Sequence, residues 1–172
     1  GHKKNVCGWQ VGNEPHIQGL YDYSPSAREN YTRWLQNKYS NLDALNVAWG
    51  AAFWSYTFTD WDQIQIPNPE MPGPNPHALL DFQTYTSWQV AEDLKQQSTI
   101  LRKHIDPEQW ITTNYAYFKF LPNVDPFKAK QAFDFSSHTM YLTSNWLNHS
   151  GDSLYHRLGS GMELAFSNEM AR

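Results

Sequence analysis

The chain has 172 residues, and its 17 acidic and 13 basic side chains give a formal net charge of −4. This balance leaves no basic surface of the kind that binds nucleic acid, and no segment is long and apolar enough to span a membrane, so neither partner is expected. The single cysteine, Cys7, excludes an internal disulfide, and its place in a predicted strand indicates a small buried hydrophobe.

The first predicted strand covers residues 6–11 and leads directly into an Asn-Glu-Pro sequence. A carboxylate just past the carboxyl end of a buried strand sits where parallel α/β folds build their active sites. Glu14 is therefore the first candidate for catalysis, with a chance or capping role as the alternative. Asn13 beside it is either a ligand-binding amide or a local turn amide. His16 is close enough along the chain to tune the proton affinity of Glu14 or to bind a hydroxyl.

Two helices are predicted after this strand. Ser26 and Glu29 have the spacing of a capping box, and apolar residues at a helical period then predict a helix over residues 27–39. A second, shorter helix begins near residue 42 and ends at Gly50.

Residues 51–77 are predicted to be mostly irregular. The first ten are rich in aromatic residues, and five prolines between residues 65 and 77 exclude a helix or a central strand there. Phe53, Trp54 and Trp61 are candidates for a platform on which a sugar stacks, and core packing is the alternative. Asp60, Asp62 and Asp81 are expected to cap or pair rather than to catalyse.

The rest of the chain alternates helices and strands. A long helix over residues 77–105 is expected to cover the sheet with its apolar face, and a strand over residues 109–115 follows. Asp125 and Pro126 open a short helix, residues 133–138 form the next strand, and the tail from residue 161 is helical by its periodicity. The order strand, helices, strand, helix, strand, helix predicts a parallel α/β fold.

Polar residues also follow the second and third strands. Asn114 ends one and Tyr141 follows the other, so both would face the same cleft as Glu14 if the strands are parallel neighbours. For Asn114, bonding to the backbone remains an alternative to ligand contact. His138 is equally well explained as a buried imidazole, and the seven histidines show no spacing typical of metal ligands.

Several motifs carry a resemblance to a known family. Asn-Glu-Pro after a tryptophan-containing strand resembles the acid/base strand of the large clan of retaining glycoside hydrolases with (β/α)8 barrels. Further motifs, in chain order, are Tyr31-Thr32-Arg33-Trp34-Leu35, Ala48-Trp49-Gly50, Phe53-Trp54-Ser55, Trp61-Asp62-Gln63-Ile64, Leu80-Asp81-Phe82 and Thr112-Thr113-Asn114. In this order and spacing the set resembles glycoside hydrolase family 42, the β-galactosidases, from about residue 8 to the end of the chain.

The resemblance implies a partial (β/α)8 TIM barrel, about strands four to six with their helices, because a complete barrel needs about 250 residues. Residues 1–172 would then be a fragment of the catalytic domain of a retaining β-galactosidase that cleaves terminal β-D-galactosides. The nucleophile of this clan follows the seventh strand and is expected beyond Arg172. A clan-related hydrolase acting on another oligosaccharide, or a non-catalytic carbohydrate-binding module, are the alternatives.

The resemblance also implies residue roles. Glu14 would be the general acid/base, Asn13 would bind the sugar hydroxyl next to the anomeric carbon, and Tyr141 would orient its hydroxyl near the nucleophile. The chain departs from the family at Gly12 and Pro15, where an aspartate and an aromatic residue are usual. Residues 19–24 contain no cysteine where some members carry a zinc-binding cluster, so neither a metal nor a cofactor is expected.

Assembly and location are less constrained by the sequence. Three strands taken from a barrel leave two edges and an apolar surface that proteins normally cover, so association into a homo-oligomer is expected. A cytoplasmic location is favoured over secretion.

Overall fold

The computed structural model describes residues 5–15, 21–68, 70–116 and 124–139. The chain divides into two compact units, of which one contains residues 1–16 and 90–172 and the other contains residues 17–89. The first unit holds the short strands and the second is helical. The predicted α/β class is therefore observed.

Helix α1 of the unit 17–89 spans Pro25–Lys38. The side-chain oxygen of Ser24 accepts a hydrogen bond of 3.1 Å from the backbone N–H of Ala27, so Ser24 is the N-cap. The predicted capping box at Ser26 and Glu29 is wrong. Proline is favoured in the first helical turn because its fixed φ suits the helix and it has no N–H to satisfy, and Pro25 therefore moves the start of the helix forward.

Helix α2 spans Leu42–Ala48, with the side chain of Asn41 accepting from the backbone N–H of Ala44 at 2.9 Å. The chain leaves the helix at Gly50, whose φ of 59° is in the left-handed region that glycine adopts without strain. Two single turns of 3₁₀ helix follow, at Phe53–Ser55 and Trp61–Gln63, and Asp60 caps the second of them as expected.

Helix α3 spans Pro76–Arg102 and is the longest element among the described residues. The side chain of Asn75 accepts hydrogen bonds from the backbone N–H groups of His77 and Ala78, at 2.9 and 3.3 Å. The proline-rich segment before it contains no helix or strand in its described part, as predicted.

The core of the unit 17–89 is formed by side chains from all three helices and from the irregular segment. Its fully buried members are Tyr31, Leu35, Leu45 and Ile64. Aromatic rings dominate the packing around Tyr31, which lies 5.4 Å from the ring of Phe82 and 5.2 Å from that of Tyr85. Trp61 is partly buried against this cluster, which agrees with the core-packing alternative for that residue.

The strands of the other unit form two parallel pairs. Strand β1 (Gly8–Gln10) pairs with β2 (Trp110–Thr112), and β3 (Asn114–Ala116) pairs with β4 (Ser137–Thr139). The single strand predicted over residues 109–115 is therefore divided at Thr113. Its carbonyl oxygen accepts from both the backbone N–H and the hydroxyl of Ser137, at 3.3 and 2.8 Å, so the chain changes its pairing partner there.

The segment before β4 already runs beside β2, because the backbone N–H of Asp134 donates to the carbonyl of Ile111 at 2.9 Å. Helix α4 (Pro126–Ala129) is capped by Asp125, as predicted. Cys7, however, is exposed and precedes β1, so its predicted burial is wrong. Of the described residues in β1, none is fully buried, because the described pairing covers only one edge of this short strand.

The predicted helical tail, from residue 161, lies outside the described residues. No helix in the described part of the chain is long and apolar enough to cross a membrane.

Candidate active site

The candidate site is built just past the carboxyl end of β1, beside the point where β3 begins. The parallel pairing continues past β1, with the backbone N–H of Val11 donating to the Thr112 carbonyl at 2.8 Å and that of Glu14 donating to the Asn114 carbonyl at 3.0 Å. These bonds hold Glu14, four residues past the end of β1, beside the first residue of β3.

The backbone between β1 and Glu14 turns through two left-handed residues. Gly12 has a φ of 67°, and a Cβ on this residue would lie 3.2 Å from Cδ2 of Leu94 in α3. The left-handed φ and the nearby Leu94 therefore both favour glycine at this position.

Glu14 itself has a φ of 47° and is half-buried. A glutamate in this region costs of order 1–3 kcal/mol, and such strain concentrates at functional sites. The two hydrogen bonds from its N–H to Asn114, 3.0 Å to the carbonyl and 3.3 Å to Oδ1, hold the backbone in this conformation.

Asn114 is the centre of a network of side-chain hydrogen bonds. Its Oδ1 accepts from Nε2 of Gln10 at 2.6 Å as well as from the N–H of Glu14. Its Nδ2 donates to Oδ1 of Asn13 at 3.2 Å and to Oγ1 of Thr139 at 2.6 Å. The structure thus connects Asn114 to both candidate residues of the Asn-Glu-Pro sequence.

The side chains of the remaining candidates lie outside the described part of the structure. Trp54 lies in the 3₁₀ turn Phe53–Ser55 of the other unit, and its side chain is outside the described part of the structure. His16 and Tyr141 lie outside the described residues altogether. Their predicted contacts with substrate stay predictions.

Gln10 and Thr139 were not predicted as site residues. Gln10 is the last residue of β1, and Thr139 is the last residue of β4. Neither is the last residue of the strands predicted over residues 6–11 and 133–138, so strand ends did not single them out. The network is also not local, because the bonded residues Gln10 and Asn114 are 104 positions apart.

A different polar cluster joins β2 to the segment that precedes β4. Oδ2 of Asp134 accepts from the guanidinium of Arg102 and from the backbone N–H of Ile111. The hydrogen bond from Arg102, followed by the one from Ile111, holds the pKa of Asp134 below its usual value of 3.8. This carboxylate therefore accounts for strand attachment rather than for catalysis.

Next to the site, β3 carries Tyr115, whose pKa is raised to about 12 because its ring is removed from water and, secondarily, because Asp125 is negative. Tyr115 therefore stays protonated at neutral pH.

Within the described ranges no three His, Cys, Asp or Glu side chains are arranged to hold a metal ion.

Parallel strands followed by an Asn-Glu pair are typical of the α/β folds in which active sites lie at the carboxyl ends of the strands. The family model described as β-galactosidase, glycoside hydrolase family 42, matches residues 1–172, and the chain belongs to this family.

Curated relatives agree with this membership. The chain is 36% identical over 137 residues to β-galactosidase BgaA of a Thermus species, which covers 79% of this chain and 21% of the relative. It is 35% identical over 140 residues to a β-galactosidase of Thermus thermophilus, with the same shares covered. The chain thus spans about a fifth of the length of these relatives.

Solved structures give the same result for the fold. A β-galactosidase from the psychrophilic Marinomonas ef1 superimposes with a TM-score of 0.84 at 30% identity, covering 99% of this chain and 26% of that one. A β-galactosidase from the haloarchaeon Halorubrum lacusprofundi superimposes with a TM-score of 0.83 at 25% identity, covering 97% and 25%.

Proposed function

We propose that residues 1–172 are a fragment of the catalytic domain of a retaining β-galactosidase and form about strands four to six of its (β/α)8 barrel. The proposed substrate is a terminal β-D-galactoside, the substrate class that the names of the relatives indicate. Glu14 is the proposed general acid/base. The observation that supports this role is the strained, half-buried backbone of Glu14 at the carboxyl edge of parallel strands.

In the first step Glu14 gives its proton to the glycosidic oxygen as the bond to the anomeric carbon breaks, while a second carboxylate attacks that carbon. In the second step Glu14 takes a proton from the water that releases the sugar. Retaining enzymes hold the two carboxyl groups about 5 Å apart. We propose that the nucleophile comes from a part of the enzyme outside the described residues.

Asn13 is proposed to bind the sugar hydroxyl next to the anomeric carbon. This contact strengthens as positive charge develops on the sugar ring in the transition state. Further proposed substrate contacts are Asn114, Tyr141, Trp54 and His16. Association into a homo-oligomer is likewise proposed, and light scattering of the purified chain tests it.

The test is Glu14→Gln in the complete enzyme. We expect kcat for galactosides with poor leaving groups to fall by about 10²- to 10⁴-fold, because the proton donor is lost, while aryl galactosides with good leaving groups lose less in their first step. Glu29→Gln is the matched control, since Glu29 is exposed and its described ion pair is with Arg33 alone, 3.1 Å away. A Glu14→Gln enzyme that hydrolyses poor substrates at the wild-type rate would contradict the proposed role.

A further inference from the structure

The hydrogen bonds around Asn114 have a direction that two backbone groups determine. The N–H of Glu14, 3.3 Å from Oδ1 of Asn114, can only donate. The carbonyl of Gly12, 3.1 Å from Nε2 of Gln10, can only accept. An asparagine or glutamine amide has a donor end and an acceptor end of nearly equal shape, so such fixed neighbours decide which end faces which way.

Starting from Glu14, the acceptor end of Asn114 must face the backbone N–H. Its donor end therefore faces Asn13 and Thr139, at 3.2 and 2.6 Å. Starting instead from Gly12, the donor end of Gln10 must face the carbonyl, and the same Nε2 then donates to Oδ1 of Asn114 at 2.6 Å. Both starting points give the same orientation of Asn114.

The last member of this chain of bonds is Asn13. Its Oδ1 accepts from Asn114, so its Nδ2 is turned away from Asn114. Asn13 is exposed, and its terminal torsion would otherwise have two similar minima. A bond to the donor end of Asn114 removes this ambiguity.

We infer that Gln10 and Asn114 are positioning residues, which fix the amide of Asn13 so that it presents N–H donors, and not its oxygen, to the substrate. This inference rests on the proposed function and adds the chemistry of recognition to it. The sugar hydroxyl next to the anomeric carbon accepts a hydrogen bond from Asn13, and its own hydrogen is left to donate to another acceptor.

Asn114→Asp separates positioning from support of the backbone. One oxygen of the new carboxylate still accepts from Gln10 and from the N–H of Glu14, so the backbone contacts remain. The other oxygen replaces the donor that faces Asn13. Asn13 then turns its Nδ2 toward residue 114 and presents its oxygen to the sugar.

The experiment measures kcat/KM of the complete enzyme for 4-nitrophenyl β-galactoside and for its 2-deoxy analogue. We expect the preference for the 2-hydroxyl to fall at least about ten-fold in Asn13→Ala, which removes the N–H donor to this hydroxyl, and in Asn114→Asp, which puts an acceptor in its place while the hydrogen of the hydroxyl is already donated to another acceptor. Gln10→Ala should change the ratio in the same direction by less. Asn30→Asp makes the same chemical change at an exposed asparagine of α1 and should leave the ratio unchanged.

A wild-type ratio in Asn114→Asp, with a reduced ratio in Asn13→Ala, overturns the inference and leaves the proposed function intact. An inactive wild-type enzyme overturns the proposed function and the inference with it. A wild-type ratio in Asn13→Ala overturns the proposed role of Asn13 and the inference, and leaves the proposed role of Glu14 intact.

A second measurement does not depend on activity. In the complete enzyme labelled with ¹⁵N at asparagine, the side-chain amide signals of Asn13 should move downfield in Asn114→Asp, because its Nδ2 becomes a donor to a carboxylate. Signals of Asn13 that stay in place would overturn the inference.

Discussion

The carboxylate of Asp81 in the unit 17–89 and the carboxylate of Glu14 in the other unit are held in contrasting ways. Asp81 is 4% exposed and accepts hydrogen bonds from Lys38, from the hydroxyl of Tyr39 at 2.7 Å and from Nε1 of Trp49 at 2.9 Å. Glu14 is half-buried on a strained backbone at a strand end. A buried acid with three donors serves the fold, whereas backbone strain at a strand edge indicates chemistry.

The aromatic residues can also be divided into buried rings that stabilise the fold and exposed rings. Those around Tyr31 pack against each other inside the helical unit, and Lys38 lies 5.3 Å from the ring centroids of both Trp34 and Tyr39. Phe53, by contrast, is 70% exposed. A high aromatic content by itself therefore does not identify a sugar-binding surface, because nine aromatic residues belong to the core of the unit 17–89.

Removal of Asp81 should have the largest effect on stability. Asp81→Ala leaves the indole N–H of Trp49 and the hydroxyl of Tyr39 without their acceptor, and we expect the free energy of unfolding to fall by about 1–3 kcal/mol for each of these two donors. Lys38 adds little, because its side chain is 38% exposed and its ammonium can turn to water. Asp93→Ala, in the same helix, is the control, because Asp93 is exposed. Urea denaturation followed by circular dichroism compares the two, and equal stabilities would show that the buried cluster does not hold the unit together.

An added methyl group should destabilise the strands by less. A Cβ on Gly8 would lie 2.0–2.3 Å from ring atoms of Trp110, its partner across the parallel pair, so Gly8→Ala must displace the indole. Overpacking of this kind costs about 1–3 kcal/mol. Trp110→Ala is the background that tests this contact, because it removes the indole that a Cβ on Gly8 would meet. Thermal unfolding should show a larger loss from Gly8→Ala in the wild type than in the Trp110→Ala background, and equal losses would contradict the observed register.

The helical unit should also lose stability in alkaline solution. Burial, and then the hydrogen bond to Asp81, raises the pKa of Tyr39 to about 12, and burial raises that of Tyr31 further. Above pH 10 the unfolded chain releases these protons while the folded chain keeps them, so stability falls as the pH rises from 10 through 12.

Tyr39→Phe tests this pH dependence. The variant should show a shallower loss of stability between pH 10 and 12 than the wild type, whereas Tyr56→Phe, which removes an exposed hydroxyl, should not. The denaturant midpoint is measured at several pH values between 10 and 12. An equal decrease of the midpoint with pH in Tyr39→Phe and in the wild type would contradict the raised pKa of Tyr39.

The helices could be predicted from the sequence because their signals are local. Prolines, capping side chains and the spacing of apolar residues predicted the bounds of α2 and α3 to within a few residues. The start of α1 was predicted wrongly because Ser26, and not Ser24, was chosen as the N-cap. The division of the second strand at Thr113 was missed, since it depends on a change of partner between β1 and β4.

The same physical reason limits prediction of the site. Glu14 and Asn13 were identified from the three adjacent residues Asn-Glu-Pro. Their hydrogen bonds to Asn114, however, join residues about a hundred positions apart in the sequence. The left-handed φ of Glu14 likewise depends on Asn114, which no pattern around residue 14 reveals.

The most direct test of the central claim, that Glu14 is the acid/base, is chemical rescue of Glu14→Gln in the complete enzyme. With an activated aryl galactoside the first step needs little protonation of the leaving group, so the glycosyl-enzyme forms. Its hydrolysis is then slow, because no base is present to activate water. Azide attacks without that base, and we predict that it restores turnover and yields β-galactosyl azide with retained configuration. A Glu14→Gln enzyme that azide does not accelerate, and that yields no galactosyl azide, would contradict the claim.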